Sequence, residues 1–306
     1  MSLLLTTANP PTLYIETLAD QPRHFDRLLR LWEAVRGFCD EATNPDLLIN
    51  FNYCEFLGHS GVAFLGGLAR WVIAQGGRVR FDWETLQPKI YANLAQNGFL
   101  FEFGHPRPPR DGNSIPYRCD TGFDHREIID YLQYYWLGKG WVNISTPLQQ
   151  AITGQTSEIY LNAFDHSQSK IGVFSCGQHY PKLGVLQLTV LDFGIGIADC
   201  VRSLPQNQTL STGQSLAWAF ESGNTTQQQP GVSRGLGLAL LQDFIQRNRG
   251  SLLIYSNDGC LNIDDNGISY HDRLINFSGT LVNIRLRCDE SFYALDSAAD
   301  PQDAWF

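Results

Sequence analysis

The segment LQLTVLDFGIGI, residues 186–197, decides which fold this chain can adopt. In its first half apolar and polar residues alternate, which is the period of a β-strand with one buried face. The strand runs into Asp192, and Gly194 and Gly196 follow at alternate positions. Glycine lets the backbone approach a ligand closely, and a carboxylate at a strand end can accept a hydrogen bond from an adenine amino group. On its own the segment also fits an ordinary tight turn.

A second informative segment, EIYLNAFDHS at residues 158–167, ends a long predicted helix that starts near Ser145 and Pro147. Glu158 and Asn162 are four residues apart, so they share one helix face. A carboxylate can activate a water or a hydroxyl, and an amide oxygen suits a hard cation that keeps its own waters. Without other signals, the same spacing is typical of a solvated helix surface.

A second pair of glycines, Gly235 and Gly237, follows Arg234 and opens a predicted helix with a regular apolar face. Helix N-termini attract phosphate, because free N–H groups and the positive end of the helix dipole point there. Residues 202–233, rich in Gly, Ser, Thr, Asn and Gln, have the composition of a mobile lid. Further along, Thr280 precedes a predicted strand at 281–287, where its hydroxyl can meet a ligand.

Composition and motifs exclude several other classes of protein. The net charge of −9 and the lack of a basic stripe oppose nucleic-acid binding. The seven cysteines are scattered and never form CxxC, which disfavours both a disulfide framework and a zinc site. There is no GxxxxGK[ST] and no GxGxxG, so neither a P-loop nor a Rossmann site is predicted. No apolar run is long enough to span a bilayer, and we expect a cytoplasmic protein.

The chain of 306 residues is long for one core, and two domains are expected. The first part alternates predicted strands (12–16, 47–51, 78–81) with predicted helices (25–38, 60–75, 86–98), which indicates an α/β layer structure. We predict an α/β domain at 1–104, a linker and connecting helix at 105–144, a nucleotide-binding domain at 145–288 and an acidic tail at 289–306. The tail is either a docking segment or a solvated end.

In their order and approximate spacing, these motifs resemble the GHKL superfamily of ATPases and kinases over residues 145–288. The form of the 158–167 segment is most similar to anti-sigma-factor serine kinases and related histidine-kinase-like ATPase domains. The resemblance implies a Bergerat-fold α/β sandwich that binds ATP and Mg²⁺. It implies that Asn162 coordinates Mg²⁺, that Glu158 acts as general base and that Asp192 binds the adenine amino group with Thr280.

The same resemblance implies that Gly194 and Gly196 shape the base pocket and that Gly235 and Gly237 hold phosphates under the lid. Arg234 and His166 are further candidates, although each also fits a structural role. Phe193 departs from the family pattern, in which a small or polar residue is common between the aspartate and the glycine. No phosphoacceptor histidine box is present, which disfavours histidine-kinase activity.

The first part of the chain more loosely resembles a STAS domain, the fold of anti-sigma-factor antagonists. FLGHSG, residues 56–61, matches the place where a strand leads to a serine at the start of a helix. The resemblance implies that Ser60 is a possible phosphoacceptor. The alternative is that Ser60 only caps its helix.

From these observations we expect a Mg-ATP-binding regulatory protein that hydrolyses ATP to drive a lid-coupled conformational cycle. Two alternatives stay open: a serine/threonine kinase of the anti-sigma type, and a non-catalytic switch in which ATP creates a surface for a partner. A protein partner is expected in each case. The resemblance also allows a homodimer, whereas nucleic acid and membrane are not expected partners.

Overall fold

Two β-sheets form the framework of the protein. The structure is a computed structural model that describes residues 5–6, 10–221, 224 and 238–295. It is mixed α/β, so the predicted fold class is confirmed at that level.

The first sheet has the order β1-β2-β3-β4, with β1 antiparallel and the other pairs parallel. Its strands are Leu5–Thr6 (β1), Thr12–Leu18 (β2), Asp46–Leu57 (β3) and Arg78–Asp82 (β4). Parallel pairing requires crossovers, which are supplied by α1 (Pro22–Glu41) and α2 (His59–Ala74). A 3₁₀ turn (Trp83–Thr85), α3 (Pro88–Gln96) and α4 (Phe99–Glu102) follow. We call this sheet with α1–α4 the N-terminal unit.

The second sheet is antiparallel throughout, in the order β5-β6-β7-β9-β8. Its strands are Ser114–Asp120 (β5), Val173–Tyr180 (β6), Val185–Asp192 (β7), Ser251–Asp264 (β8) and Gly267–Arg287 (β9). The central strand β7 is buried along its whole length. β8 and β9 form a long hairpin, and Gly267 at its turn has φ of +109°.

One face of the second sheet is covered by helices of the same part of the chain. They are α5 (His125–Tyr131), α6 (Thr146–His166) and α9 (Ala239–Arg247), with α7 (Ile197–Arg202) and α8 (Thr212–Phe220) near one edge. α5 continues through a π-helical turn (Leu132–Trp136) and a 3₁₀ turn (Leu137–Lys139). Leu188 and Val190 of β7 belong to one apolar cluster with Ile152 and Ile159 of α6. The second sheet and α5–α9 are the C-terminal unit.

The opposite face of the second sheet packs against α1 and α2, which therefore lie between the two sheets. All residues of α2 from His59 to Ala69 are buried, as expected for a helix that is covered on both sides. A single apolar cluster includes Leu65 of α2, Ile49 of the first sheet and Leu191 of the second. The layers are thus sheet, helices, sheet, helices. This cluster joins the two units, and a second cluster lies between the other face of the second sheet and its own helices.

The C-terminal unit begins earlier than the sequence suggests. The predicted linker at 105–144 contains β5 and α5, because β5 pairs with β6 along the edge of the second sheet. Pro116 lies within β5, where the pairing register shifts between Ile115 and Arg118. Proline is tolerated at such an irregularity on an edge strand, and its presence concealed the strand.

The first part of the predicted acidic tail packs on the C-terminal unit. The Tyr293 N–H donates to Asn143 O (2.9 Å), and the Ser145 N–H donates to Tyr293 O (2.8 Å). The Tyr293 ring also lies 5.5 Å from that of Phe244 in α9, centroid to centroid. Residues 296–306 lie outside the described part of the chain. Among the residues that are described, no helix has the length and apolar character needed to cross a membrane.

Candidate functional site

Asp192 ends the central strand of the second sheet and is the most buried carboxyl group near the predicted glycine turn. It is 2 % exposed and pairs with Thr280 on β9 and with Val173 on β6. The Gly194 N–H donates to Asp192 Oδ1 at 2.8 Å. Burial raises the pKa of Asp192 to about 7, although hydrogen bonds from Gly194 and Thr280 act in the opposite direction. The group therefore changes charge near neutral pH.

The two glycines after Asp192 are required by close contacts. A Cβ at Gly194 would lie 1.9 Å from the backbone oxygen of Ser167 at the end of α6. The Ile195 N–H donates to that same oxygen at 2.7 Å. Gly196 has φ of +80°, and a Cβ there would lie 2.4 Å from Asn257 Oδ1. The turn is thus held against the end of α6 on one side and against β8 on the other.

Ser256 and Asn257 of β8 hold the far side of this turn, and the sequence did not single them out. The Ile197 N–H donates to Ser256 Oγ (2.7 Å), and the Ala198 N–H donates to Asn257 Oδ1 (3.0 Å). The Asn257 amide in turn donates to Ile195 O at 3.0 Å. Asn257 has φ of 53° and interrupts the strand pairing. The signal in the sequence was an Asn-Asp-Gly run inside an otherwise apolar strand.

Thr280 lies beside Asp192, as its predicted role requires. The Thr280 hydroxyl is 3.2 Å from Ser256 Oγ, which also donates to Gly279 O at 2.9 Å. Gly279 has φ of +151°, and a Cβ there would lie 2.4 Å from Asp192 O. The hydroxyl and carboxyl groups are therefore brought together by strand pairing.

α6 lies on the same face of the second sheet as the Asp192 side chain, because Asp192 shares the alternation of Leu188 and Val190. Asn162 is half-buried and Glu158 is exposed. At about 1.5 Å of rise per residue, Asn162 is about 7.5 Å and Glu158 about 13.5 Å from Ser167 along the helix axis. Along the axis of α6, Asn162 and then Glu158 thus lie progressively farther from the helix end that contacts the glycine turn.

His166 occupies the last position of α6 and is half-buried. A protonated histidine at a helix C-terminus interacts favourably with the helix dipole. The position of His166 is compatible with a structural role at the helix end. It also places His166 next to Ser167, which contacts the glycine turn.

The N-terminus of α9 lies beside α6. Gln155 Oε1 accepts a hydrogen bond from the Leu241 N–H at 2.6 Å, and Leu241 belongs to the first turn of α9. Gln155 precedes Asn162 by seven residues and so shares its helix face. The sequence did not identify Gln155. Arg234, Gly235 and Gly237 lie outside the described residues, directly before this helix.

The predicted lid at 202–233 is partly helical within the described residues. α8 begins at a capping box formed by Ser211 and Gln214. Arg202 donates to Leu210 O (3.0 Å) and to the Thr212 hydroxyl (2.6 Å), and Thr212 contacts Asp258 of β8. α8 thus packs on the hairpin of β8 and β9. Residues 222–223 and 225–233 of the predicted lid lie outside the described part of the chain.

Ser60 lies on the other side of the second sheet, in a buried polar cluster between the two units. It is 2 % exposed, and its hydroxyl is 2.8 Å from Thr189 Oγ1 and accepts from Asn283 Nδ2 at 3.1 Å. The Asn283 amide also lies 3.0 Å from His59 Nε2. The sequence identified Ser60 but not its partners.

Asp20 completes this cluster and takes the capping role that was the alternative for Ser60. Gly58 is the N-cap of α2, and the Ser60 N–H donates to Asp20 Oδ1 at 3.1 Å. His59 Nδ1 lies 2.9 Å from Asp20 Oδ2, which also accepts from the Tyr180 hydroxyl at 2.8 Å. Burial alone would raise the pKa of Asp20, but His59 and the hydrogen bonds from Tyr180 and Ser60 lower it below its ordinary value.

The groups around the glycine turn are a buried hydrogen-bond acceptor and backbone N–H groups. Asp192 offers a buried carboxyl that can accept a hydrogen bond, and the turn formed by Gly194 and Gly196 packs closely on Ser167 and Asn257. Within the described residues no group of three or more His, Cys, Asp or Glu side chains is placed to hold a metal ion. Mg²⁺ is commonly held by one or two protein oxygens, waters and substrate phosphates, which suits a single amide ligand such as Asn162.

No model of a known protein family matches the chain, and a search of curated proteins found no match.

Proposed function

We propose that the protein is a regulatory Mg-ATP-binding protein whose C-terminal unit binds ATP between α6 and the Asp192 turn. The observation that carries this proposal is the buried Asp192 carboxyl, which lies at the end of the central strand and receives the Gly194 N–H within a turn of obligatory glycines. A carboxylate can accept more hydrogen bonds than those it receives from Gly194 and Thr280, and the exocyclic amino group of adenine would supply a further donor.

The order of the groups along α6 supports a nucleotide that extends from this turn. Asp192 lies beyond the C-terminal end of α6, Asn162 lies about 7.5 Å back along the helix, and Glu158 lies about 13.5 Å back. The Gln155 contact brings the N-terminus of α9 to the same end as Glu158. In this proposal the adenine base lies at Asp192, the metal-bound phosphates lie at Asn162 and the terminal phosphate lies at Glu158.

Each residue has a role that follows from its chemistry. The Asn162 amide oxygen would hold Mg²⁺, which supplies charge neutralisation for the phosphate oxygens. Glu158 is exposed, so its carboxylate is free to orient and deprotonate an attacking water. The α9 N-terminus, together with Arg234, Gly235 and Gly237, would hold the phosphates through N–H groups and the helix dipole. Hydrolysis would then drive closure and opening of the lid at 202–233.

Titration calorimetry of the purified full chain with ATP, ADP and a non-hydrolysable analogue, with and without Mg²⁺, tests this proposal. Asp192→Asn should abolish ATP binding, because its amide presents a donor towards the adenine amino group. Asp264→Asn is the matched control, since Asp264 also ends a strand of the second sheet but lies at the tip of the hairpin. If neither ATP nor ADP binds the wild-type chain, the proposal is wrong.

Release of γ-phosphate separates the alternatives for the step after ATP binding. An ATPase is expected to release free phosphate, and Glu158→Gln should abolish this release while ATP binding persists. Label transferred from γ-labelled ATP to protein instead identifies a serine/threonine kinase. Binding with no release or transfer, unaffected by Glu158→Gln, identifies an ATP-gated switch for a protein partner.

A further inference from the structure

Phe193 connects the proposed nucleotide turn to the N-terminal unit. It stands between Asp192 and Gly194, and the alternation of the strand directs its ring to the opposite face of the sheet from the Asp192 carboxyl. The ring is 7 % exposed although it comes directly after the strand end. This is the position at which the chain departs from the pattern of the family it resembles.

The Phe193 ring is surrounded by aromatic rings from both units. Its centroid lies 5.3 Å from Trp32 of α1 and 5.6 Å from Phe64 of α2. It also lies 6.0 Å from Phe174 and 5.5 Å from Phe277, both of the second sheet and both edge-on. Aromatic pairs in this range of distances are favourable beyond their buried area. Phe193 is therefore packed into the helix layer between the two sheets.

Gly67 of α2 provides the space for this ring. A Cβ at Gly67 would lie 2.2 Å from Phe193 Cε2 and 2.9 Å from Phe174 Cδ2. The neighbouring Gly66 has a similar contact with a different strand, because a Cβ there would lie 2.2 Å from the Tyr117 hydroxyl of β5. Gly67 thus contacts the rings of Phe193 and Phe174, whereas the atoms nearest to Gly66 belong to Tyr117.

The backbone directly after Phe193 is held by two hydrogen bonds. The next residue donates its N–H to Asp192 Oδ1 (2.8 Å), and Ile195 donates its N–H to Ser167 O (2.7 Å). A shift of the Phe193 ring would therefore displace the hydrogen bonds that set the Asp192 carboxyl and the end of α6. Protein interiors are close-packed, so such a shift is not absorbed locally.

We propose that Phe193 is a positioning residue through which the docked helices α1 and α2 set the nucleotide turn, so that ATP binding and docking of the N-terminal unit stabilise each other. The inference rests on the proposed function. Coupling of this kind is reciprocal: if docking strengthens ATP binding by a given factor, ATP strengthens docking by the same factor. The N-terminal unit is then the part of the molecule that senses or reports nucleotide occupancy.

The test compares Gly67→Ala with Gly66→Ala in the full chain by ATP titration calorimetry. Both changes add one methyl to the same helix at the same interface, and thermal unfolding measures how much each destabilises the fold. Gly67→Ala should weaken ATP binding about ten-fold, and Gly66→Ala should change it less than about three-fold. In the Gly67→Ala background, Phe193→Leu should restore most of the lost affinity, because the smaller side chain makes room for the methyl group.

Hydrogen exchange measures the reverse direction of the coupling. ATP should slow exchange of the α2 amides in the wild type and in Gly66→Ala, and should do so less in Gly67→Ala. Equal loss of ATP affinity in the two glycine variants, or no rescue by Phe193→Leu, would overturn the coupling while leaving ATP binding intact. Failure of the wild type to bind ATP refutes the proposed function instead.

Discussion

Replacing Asp192 with asparagine should remove a pH dependence from the stability of the fold. The folded-state pKa of Asp192 is about 7 because of burial, against an ordinary value of 3.8. Between these two values the folded protein keeps the proton and the unfolded chain has lost it. The free energy of unfolding therefore falls as pH rises through this window, and the loss is complete above the folded-state pKa.

The size of the effect depends on the two pKa values. A difference of about three pKa units corresponds to about 4 kcal/mol, at about 1.36 kcal/mol per unit. Because the unfolded chain has already lost most of the proton at about pH 5, about 2.5 kcal/mol of this total falls between about pH 5 and about pH 8. Asparagine has nearly the same shape and can still accept the Gly194 N–H, but its amide does not titrate. The Asp192→Asn variant therefore lacks this contribution.

Urea unfolding of the wild type and of Asp192→Asn, each at about pH 5 and about pH 8, measures the effect as a double difference. Groups that titrate in both proteins cancel. The wild type should lose about 2.5 kcal/mol more than the variant between the two pH values, and the variant should be the more stable protein at the higher pH. Partial burial would raise the pKa of the half-buried carboxyl Asp264, but hydrogen bonds from Asn262 and Asn266 lower it below its ordinary value, so Asp264 is ionised at both pH values. Asp264→Asn therefore serves as control, and its pH dependence should match the wild type.

The opposite result would refute the electrostatic argument. If wild type and Asp192→Asn lose stability in parallel, Asp192 is ionised in the folded protein at about pH 5. Asp192 would then be a poor candidate for the floor of a buried site.

The glycine turn and the interface give three further predictions. Gly196→Ala should lower the free energy of unfolding by at least about 2 kcal/mol, because φ is +80° and the methyl would meet Asn257. Gly154→Ala in α6 should raise it by about 0.5–1 kcal/mol, since a Cβ there meets nothing within 4 Å. Chemical denaturation measures both changes. Asn283→Ala should lower the free energy of unfolding by about 2–4 kcal/mol, because the buried His59, Ser60 and Thr189 lose the donor that Asn283 supplies. Asn262→Ala on the hairpin should lower it by less than about 0.5 kcal/mol. ATP binding at about pH 7 should release protons from Asp192, measured by calorimetry in buffers of different ionisation enthalpy.

The sequence predicted the elements around the Asp192 turn well, because their signals are local. Alternation over 186–190 predicts most of β7, which spans Val185–Asp192, and the Ser145 cap predicts the start of α6, which spans Thr146–His166. The glycines are recognisable as positions of close approach. What they approach, the end of α6 and Asn257 of β8, depends on pairing across the sheet and has no local signal.

The arrangement of the two units was not predictable in the same way. α2 shows an ordinary apolar face by periodicity, but Gly66 and Gly67 on its other side mark a second surface of contact. A glycine pair inside a helix reduces helix propensity, and only the tertiary contact explains it. The hairpin of β8 and β9 was missed because Asn257 interrupts the pattern of β8, although the Asn266-Gly267 pair is a strong turn signal.

The buried cluster around Ser60 sets a condition on its predicted role as a phosphoacceptor. Ser60 and Asp192 lie on opposite faces of the second sheet, so a nucleotide bound at Asp192 cannot reach the Ser60 hydroxyl within one docked chain. A phosphate would add a charge of about −1.5 to −2 to a site whose backbone N–H already binds Asp20 at 3.1 Å. A phosphorylated Ser60 and a docked N-terminal unit are therefore incompatible.

Ser60→Asp, as a charged substitute, should consequently open the interface, whereas Ser60→Ala should only weaken it. Limited proteolysis of the region between α4 and β5 and hydrogen exchange in α2 report the opening. The expected result is rapid cleavage and fast exchange in Ser60→Asp, with Ser60→Ala closer to the wild type. If Ser60→Asp resists the protease as the wild type does, the cluster tolerates a second carboxylate beside Asp20.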